Sequence, residues 1–518
     1  MVLLQLTEKM IKNVTKKVNI GIFLIFLLAV IIRFLYFPNN VYFGYDQARD
    51  AYTVQEILSG QLKIVGPPSA DGVFHHGVLY YYIFAFFYFI SGGDPAAVAA
   101  FLRIFNAMGV FILYPIVVIL FGEIAAFSAI ILYAVSYEQT QFSLFLNHPS
   151  LVVISVLFFF FGLANWIFRK KNWGFWIALL GMGFSIQFQF IEVQLIPVFI
   201  LFLIVFRKKI RLRFNKSLLI GMLAFILPLS TYIISEIIHR FFVSKQILNF
   251  FYNHEKASSV SISFSKFSFF ITRHIHDNLI SNNIGSIILA VILLFLFIKF
   301  IFKSKYKEYL LFILVWFAGG FLIYFFTDND AYYYNTGTSL ALLIFVSFLV
   351  SKLYIFRKWL AFLILILIFF SNVFLITKNN PFGPNERINP QKGLTLEDEK
   401  RIVDFIYQKA SDKAFSVNAL TMPYNVNTTW SYLFEWYGKK RYGYVPVWGG
   451  DAASGYYGSL KVNTARSTLP QKRFLIIEPK EGIPLYLVTS FLENESIYST
   501  VKEKHKVGTM EVWVQEAK

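Results

Sequence analysis

The sequence predicts an all-α polytopic membrane protein of about eleven transmembrane helices, followed by a small C-terminal α/β domain. Three observations carry this. Of 518 residues, 57% are hydrophobic and only 15% are charged, whereas a soluble domain carries about 25% charged residues. Runs such as Ile20–Ile32, Ile287–Ile298 and Leu360–Phe370 are apolar on every face, where a soluble helix would keep a polar stripe. Beyond residue 377 the texture changes: residues 378–518 hold 19 Lys/Arg and 15 Asp/Glu, well mixed, while residues 1–377 hold 29 and 15.

The net charge of +18 could suggest nucleic acid. Its placement excludes that partner. Twenty Lys/Arg sit in five short clusters between apolar runs: Lys9–Lys17, Arg169–Lys171, Arg207–Lys216, Lys299–Lys307 and Lys352–Lys358. This is the positive-inside pattern of a protein whose partner is the lipid bilayer. With all five clusters cytoplasmic, an even number of spans separates each pair. Spans are placed at 20–37, 96–121, 124–140 and 150–168. Two short spans follow between Lys171 and Arg207, meeting in a recessed turn near Gln187–Gln194. The rest lie at 217–238, 283–302, 308–326, 338–356 and 359–377. Gly77–Ile90 would break the parity, and it is short for a ~30 Å core. It reads as an interfacial helix with Tyr80, Tyr81 and Tyr82 at headgroup level.

This topology puts the N-terminus in the cytoplasm and makes residues 1–377 a membrane domain with outer loops at 38–95, 141–149, 239–282 and 327–337. Residues 378–518 form an extracytoplasmic domain. The stretch Asn19–Phe37 lacks a small-residue cleavage site and reads as an uncleaved first span. Without cysteine, the outer domain holds together by its own core. There, Thr395 is placed to cap a helix with Glu397, Asp398 and Glu399 in its first turn and Ile402, Phe405 and Ile406 on its apolar face. Lys413–Leu420, Arg473–Glu478 and Thr509–Gln515 read as strands, the last alternating Met510, Val512 and Val514 with polar positions.

Polar groups gather on the predicted outer side. All eight histidines fall there, as do most of the carboxylates of residues 1–377, among them Asp71, Glu255, Asp328 and Asp330. The densest stretch is Phe43-Gly-Tyr-Asp-Gln-Ala-Arg-Asp50. On a helix Asp46, Arg49 and Asp50 share a face, and a carboxylate in its first turn could serve as a general base. A surface ion pair is the bland alternative. His75 and His76 are adjacent, so they form a poor metal pair and read as a polar lip. Glu138 opens a polar run that ends in Asn147-His148-Pro149, a helix start able to attract an anion or simply to cap itself. Gln187, Gln189, Glu192 and Gln194 mark the recessed turn as a cavity wall. The 239–282 loop carries Arg273 and His274 among unusually many outer cations, suited to lipid phosphate. The tyrosines at Tyr332–Tyr334 fit an aromatic belt.

The order of these motifs resembles the family 39-type glycosyltransferases of the GT-C superfamily, which include protein O-mannosyltransferases and aminoarabinose transferases. The resemblance rests on one span, an acidic first loop, a Gly-Val-Leu-Tyr-Tyr-Tyr82 interfacial helix and Ala-Phe-Leu-Arg103. It continues through Leu132-Tyr-Ala-Val-Ser136 and Asn147-His-Pro-Ser-Leu151. It implies a GT-C type membrane enzyme that inverts configuration while moving a sugar from a polyprenyl-phosphate donor to a glycan, lipid or protein acceptor. Asp46 matches the family's catalytic base. The substrate-binding residues expected around it are Arg49, Asp50, His75, His76, Arg103, Glu138, Asn147, His148, Gln189, Arg273, His274 and Tyr333. Two departures stand out. Asn147-His148 replaces an acidic residue common in the second outer loop, which weakens the case for a divalent metal; no cofactor is assigned. His75-His76-Gly77 replaces a His-Pro-Pro. A transporter or flippase would place charges mid-membrane and often show two similar halves, and neither is present. A ligase of lipid-linked glycans lacks the acidic first loop with an outer α/β domain.

Overall fold

The computed structural model describes residues 2–68, 74–210, 216–242, 244–245, 264–303, 305–325 and 331–518, with side chains described from residue 18. Asp71, Glu255, Asp328 and Asp330 lie outside the described residues.

Seventeen described helices precede the C-terminal domain. They are α1 Val2–Phe34, α2 Tyr45–Leu58, α3 Leu79–Ser91, α4 Pro95–Ala107, α5 Gly109–Phe121, α6 Glu123–Val135, α7 Tyr137–Leu144, α8 Pro149–Arg169, α9 Asn172–Phe188, α10 Leu195–Val205, α11 Lys216–Ile226, α12 Ser230–Ile238, α13 Phe264–His276, α14 Asn283–Ile301, α15 Lys307–Gly319, α16 Thr338–Phe356 and α17 Lys358–Asn379. Five are long and apolar enough to cross a membrane among the described residues: Pro95–Phe121, Pro149–Arg169, Asn283–Ile301, Thr338–Phe356 and Lys358–Phe382. The pair α11 and α12, bent by 66°, would make a sixth.

The expected count of eleven is therefore not confirmed, and the differences have local causes. The span expected at 124–140 stops at Val135, where Ser136 turns the chain and caps α7 through its hydroxyl. The span expected at 308–326 ends at Gly319, and a 3-10 turn Leu322–Phe325 follows. The break expected near Gln187–Gln194 is present as a 3-10 turn, Phe190–Gln194, joining α9 and α10.

Two arginines lock the first helices together. Arg33, overlooked inside the first apolar run, is buried and donates to Asn106 Oδ1 at 2.7 Å and to the Ala29 and Ala134 carbonyls, each at 3.0 Å. Arg103, also buried, donates to the Arg33 carbonyl, the Ala99 carbonyl and Asn40 Oδ1 at 3.0, 3.1 and 2.9 Å. A buried charge in lipid-side surroundings persists only when it is paired this way.

The C-terminal domain is a five-stranded mixed sheet in the order β2-β1-β3-β5-β4, with β1 Phe415–Leu420, β2 Val447–Trp448, β3 Lys472–Ile477, β4 Ser499–Val507 and β5 Met510–Ala517. β1 runs parallel to β2 and β3; β5 is antiparallel to β3 and β4. The period of two places Phe474 and Ile476 against α18, Leu396–Ala410, and Leu475 and Ile477 against α21, Leu485–Tyr498. α21 also covers Trp513, so the polar-looking face of β5 is not open. Gln515 is buried there too. Between strands lie two short helices, α19 Thr428–Leu433 and α20 Lys439–Tyr442. Thr395 precedes α18 as expected, but its side chain does not cap. Its backbone is instead paired with Tyr42, alongside Leu396 N to Val41 O at 2.8 Å. That bridge zips the segment before α2 onto the C-terminal domain.

Candidate active site

α2 starts because Gly44 leaves an extended chain, and the Gln47 side chain returns to accept from the Gly44 N–H at 3.1 Å. The first turn carries Asp46. The expected shared face is present: Arg49 reaches Asp46 Oδ1 at 2.7 Å and Asp50 Oδ1 at 2.8 Å. The two carboxylates differ in setting. The Asp46 side chain is 51% exposed and that of Asp50 is 3%. Asp50 also accepts from Tyr81 OH at 3.1 Å, and its second oxygen has no partner among the described residues. Burial pushes the Asp50 carboxyl up to about 6, with the Asp46 charge acting the same way and Arg49 opposing. Asp46 is thus the open member of the pair, and Asp50 anchors the arginine from behind.

Around this triad stand residues from four other segments. Gln47 donates to the Leu146 carbonyl at 3.1 Å, which fixes the loop carrying Asn147 and His148. The His148 ring packs on His76 at 4.1 Å and on Tyr80 at 5.3 Å. Burial, then the His76 and Arg49 charges, hold His148 well below its ordinary value. It is neutral and brings no charge to an anion. Asn147 Oδ1 accepts the His148 N–H at 2.7 Å, and α8 carries no side-chain cap. His75 and His76 diverge, as adjacency demands: the His75 carbonyl accepts from Tyr232 OH, and His76 Nδ1 accepts from Phe190 N at 3.3 Å. The replacement of Pro by Gly77 has a steric reason. A Cβ at Gly77 would stand 2.2 Å from the Gln187 carbonyl oxygen, so the chain can lie against the recessed turn only without one.

A second polar group lies across the segment 331–337. Glu138 is buried and pairs with His274 at 3.0 Å, and it accepts from Asn278 at 2.7 Å. Burial alone would raise this carboxyl; His274, with Arg273, outweighs it and holds Glu138 at about 2. Arg273 is buried, donates to Asn335 Oδ1 at 2.6 Å and lies over the Tyr332 ring at 4.6 Å. Its Nε and Nη1 have no partner among the described residues. Tyr332 OH donates to Asp277 at 2.8 Å. Tyr333 joins the two groups: its carbonyl accepts from Gln189 at 3.1 Å, its ring stacks on Phe145 at 5.8 Å, and the Asp46 charge is among the causes that raise its phenol, after burial and Tyr334. Tyr332–Tyr334 are thus more than an aromatic belt.

Twelve of the thirteen expected residues therefore fall in or between these two groups. Arg103 does not. Each of its three nitrogens donates within the helix packing already described. Tyr81, expected at headgroup level, is instead buried against Asp50, and Asp277, Asn278 and Asn335 were not among the expected site residues. Asn278 had a signal, four residues from His274 on one helical face; the others had none. Among the described residues no group of three His, Cys, Asp or Glu stands ready to hold a metal ion. An apolar cavity of about 700 Å³ opens between α13, α14, α15 and α16, lined by Phe269, Thr272, Ile275, Leu294, Phe317 and Phe345 among others.

Residues 75–234 match the family model described as dolichyl-phosphate-mannose-protein mannosyltransferase. The chain is similar to ArnT from Cupriavidus metallidurans in two crystal structures. With the form bound to undecaprenyl phosphate it shares 11% identity over 95% of this chain and 97% of that one, with a TM-score of 0.58. With the apo form the values are 12%, 95%, 97% and 0.56. The apo oligosaccharyltransferase of Archaeoglobus fulgidus is similar at 11% identity over 80% of this chain and 63% of that one, with a TM-score of 0.51. No curated protein matches by sequence. These likenesses show the fold, which is shared with ArnT and with the archaeal oligosaccharyltransferase.

Proposed function

We infer that this chain, with the fold of a GT-C membrane glycosyltransferase, moves a sugar from a polyprenyl-phosphate donor to an acceptor hydroxyl on the outer face of the membrane, with inversion. The observation that carries this is the division of labour on α2: Asp46 open, Asp50 buried, and Arg49 bridging both. Asp46 takes the acceptor proton while the acceptor oxygen attacks the anomeric carbon. The bond from that carbon to the phosphate oxygen breaks, and the lipid phosphate leaves with the electron pair. It needs positive charge rather than a proton, and the unused N–H groups of Arg273 supply it. The neighbouring apolar cavity suits an isoprenoid tail. That ArnT was crystallised with undecaprenyl phosphate supports this donor class.

The test uses the full chain in lipid nanodiscs with a polyprenyl-phosphate sugar, following release of polyprenyl phosphate. Asp46→Asn keeps the shape and removes the basicity, so turnover falls on the order of 10²–10⁴-fold while lipid-phosphate binding persists. Near-normal turnover by Asp46→Asn with loss in Asp50→Asn assigns the base to Asp50. Turnover of a nucleotide sugar without lipid carrier overturns the donor class. Reporter fusions after Lys171 and after Lys378 test the orientation, expected inside and outside.

A further inference from the structure

The face of α2 that turns away from the membrane helices is covered by one loop of the C-terminal domain. Tyr45, Arg49, Tyr52 and Glu56 recur at i, i+4, i+7 and i+11 and form one stripe along the helix. The loop Gly455–Ser459 runs along this stripe. Tyr456 meets Tyr45 edge-on at 5.7 Å, and Tyr457 stacks on Tyr52 at 5.6 Å with 12° between the rings. Tyr457 OH donates to Glu56 Oε2 at 2.6 Å, and Tyr52 OH and Ser459 Oγ lie 3.1 Å apart. Ser459 also donates to Glu435. Between helix and loop lies an open cleft of about 410 Å³, bounded by Tyr52, Gln55, Glu56 and Ser59 on one side and Tyr457–Ser459 on the other. Gln55, Ser59 and Ser459 are exposed at its mouth.

We propose that this cleft binds the acceptor, and that the acceptor is a neutral carbohydrate chain. The proposal rests on the transfer reaction inferred above and adds the acceptor's chemistry and place. Three features favour a glycan. The cleft falls within the size range of ligand pockets, roughly 300–1,000 Å³. Tyrosine rings offer flat faces to sugar C–H groups and a hydroxyl to sugar oxygens. The polar lining is carboxylate, amide and hydroxyl, the set that sugar hydroxyls can both donate to and accept from. Its cation, Lys63, is tied to Glu56 at 2.8 Å, and Glu56 with Glu435 would repel an anionic acceptor. Ten residues of helix separate Asp46 from Glu56, about 15 Å along the axis. The cleft therefore holds sugars beyond the one whose hydroxyl reacts, with Tyr45 and Tyr456 lining the way to Asp46. The C-terminal domain is then the acceptor-selecting part of the enzyme.

The test presents labelled full-length protein in nanodiscs to an immobilised array of neutral microbial oligosaccharides, with acidic oligosaccharides and Ser/Thr-rich peptides alongside. Retention on a subset of the neutral glycans is expected. It should fall about tenfold in Tyr457→Ala and in Glu56→Gln, the scale of one aromatic contact or one charge-assisted hydrogen bond. Tyr457→Phe keeps the ring and should keep most retention, which shows that the alanine effect is not misfolding. Asp46→Asn should retain glycans as the native chain does. No retention on neutral glycans, retention on peptides instead, or unchanged retention in Tyr457→Ala overturns the proposal. Absent lipid-donor turnover with glycan retention intact would instead remove the reaction and leave the cleft.

Discussion

Arg49 Nη1 stands 2.7 Å from Asp46 Oδ1, and its Nη2 stands 2.8 Å from Asp50 Oδ1. One guanidinium thus serves an open carboxylate and a buried one, and the protonation of the second controls what the first experiences.

Asp50 is pushed up to about 6, chiefly by burial. Below that pH it is neutral, and Arg49 pairs with Asp46 alone, which ties up the Asp46 oxygen that would face the acceptor hydroxyl. Above it Asp50 is charged and shares the arginine. Sugar transfer should therefore rise with pH through about 6, and Asp50→Asn should flatten that limb. A pH–rate profile of lipid-phosphate release that keeps the limb in Asp50→Asn assigns it elsewhere.

Arg273 donates to Asn335 and leaves two N–H positions unused among the described residues. Charge-assisted hydrogen bonds are worth about 1.5–3 kcal/mol each. Arg273→Ala should weaken polyprenyl-phosphate binding by about ten- to a hundredfold, read by titration in nanodiscs. Arg273→Lys should recover only part, because an ammonium cannot present the planar fork.

Arg103 shows the opposite pattern. Its replacement by Met strands Asn40 Oδ1 and two carbonyls, so the thermal midpoint in detergent should drop by several degrees. The scale is about 1–3 kcal/mol per buried unsatisfied group. Lipid-phosphate binding by the folded fraction should stay normal. A selective loss of binding would return Arg103 to the donor site.

Glu399, in the first turn of α18, is fully buried and neither oxygen has a partner among the described residues. Burial, then the Glu478 charge, raise its carboxyl well above 4.5. The fold therefore holds this proton more tightly than the unfolded chain does. The stability it contributes is full below the unfolded value and is lost as pH rises through the folded one. Glu478, pushed up to about 7 by burial, behaves alike. Glu399→Met should leave melting near pH 4 almost unchanged and stabilise the chain near pH 8 by about 1–3 kcal/mol. Destabilisation at pH 8 would mean that this carboxylate has a use in the ionised state.

By itself the sequence determined the membrane class, the helical membrane part, the α/β texture of the C-terminal domain and the α2 triad. Each depends on local period and composition: unbroken apolar runs, the clustering of lysine and arginine, alternation in Thr509–Gln515, and a spacing of three and four at Asp46, Arg49 and Asp50. Local spacing could not say which carboxylate is open. That was decided by Tyr81 and the loop at Leu146 closing over Asp50 from elsewhere in the chain. Nor could it separate Arg273 from Arg103, both cations beside apolar runs. Arg103 meets Asn40 and the Arg33 carbonyl across two other segments and finds an acceptor for each of its three nitrogens, whereas Arg273 hydrogen-bonds Asn335 and leaves Nε and Nη1 without an acceptor among the described residues. The cost of burying a charge depends on which partners the fold brings within about 3 Å, and for these residues the deciding partners lie tens of positions away along the chain.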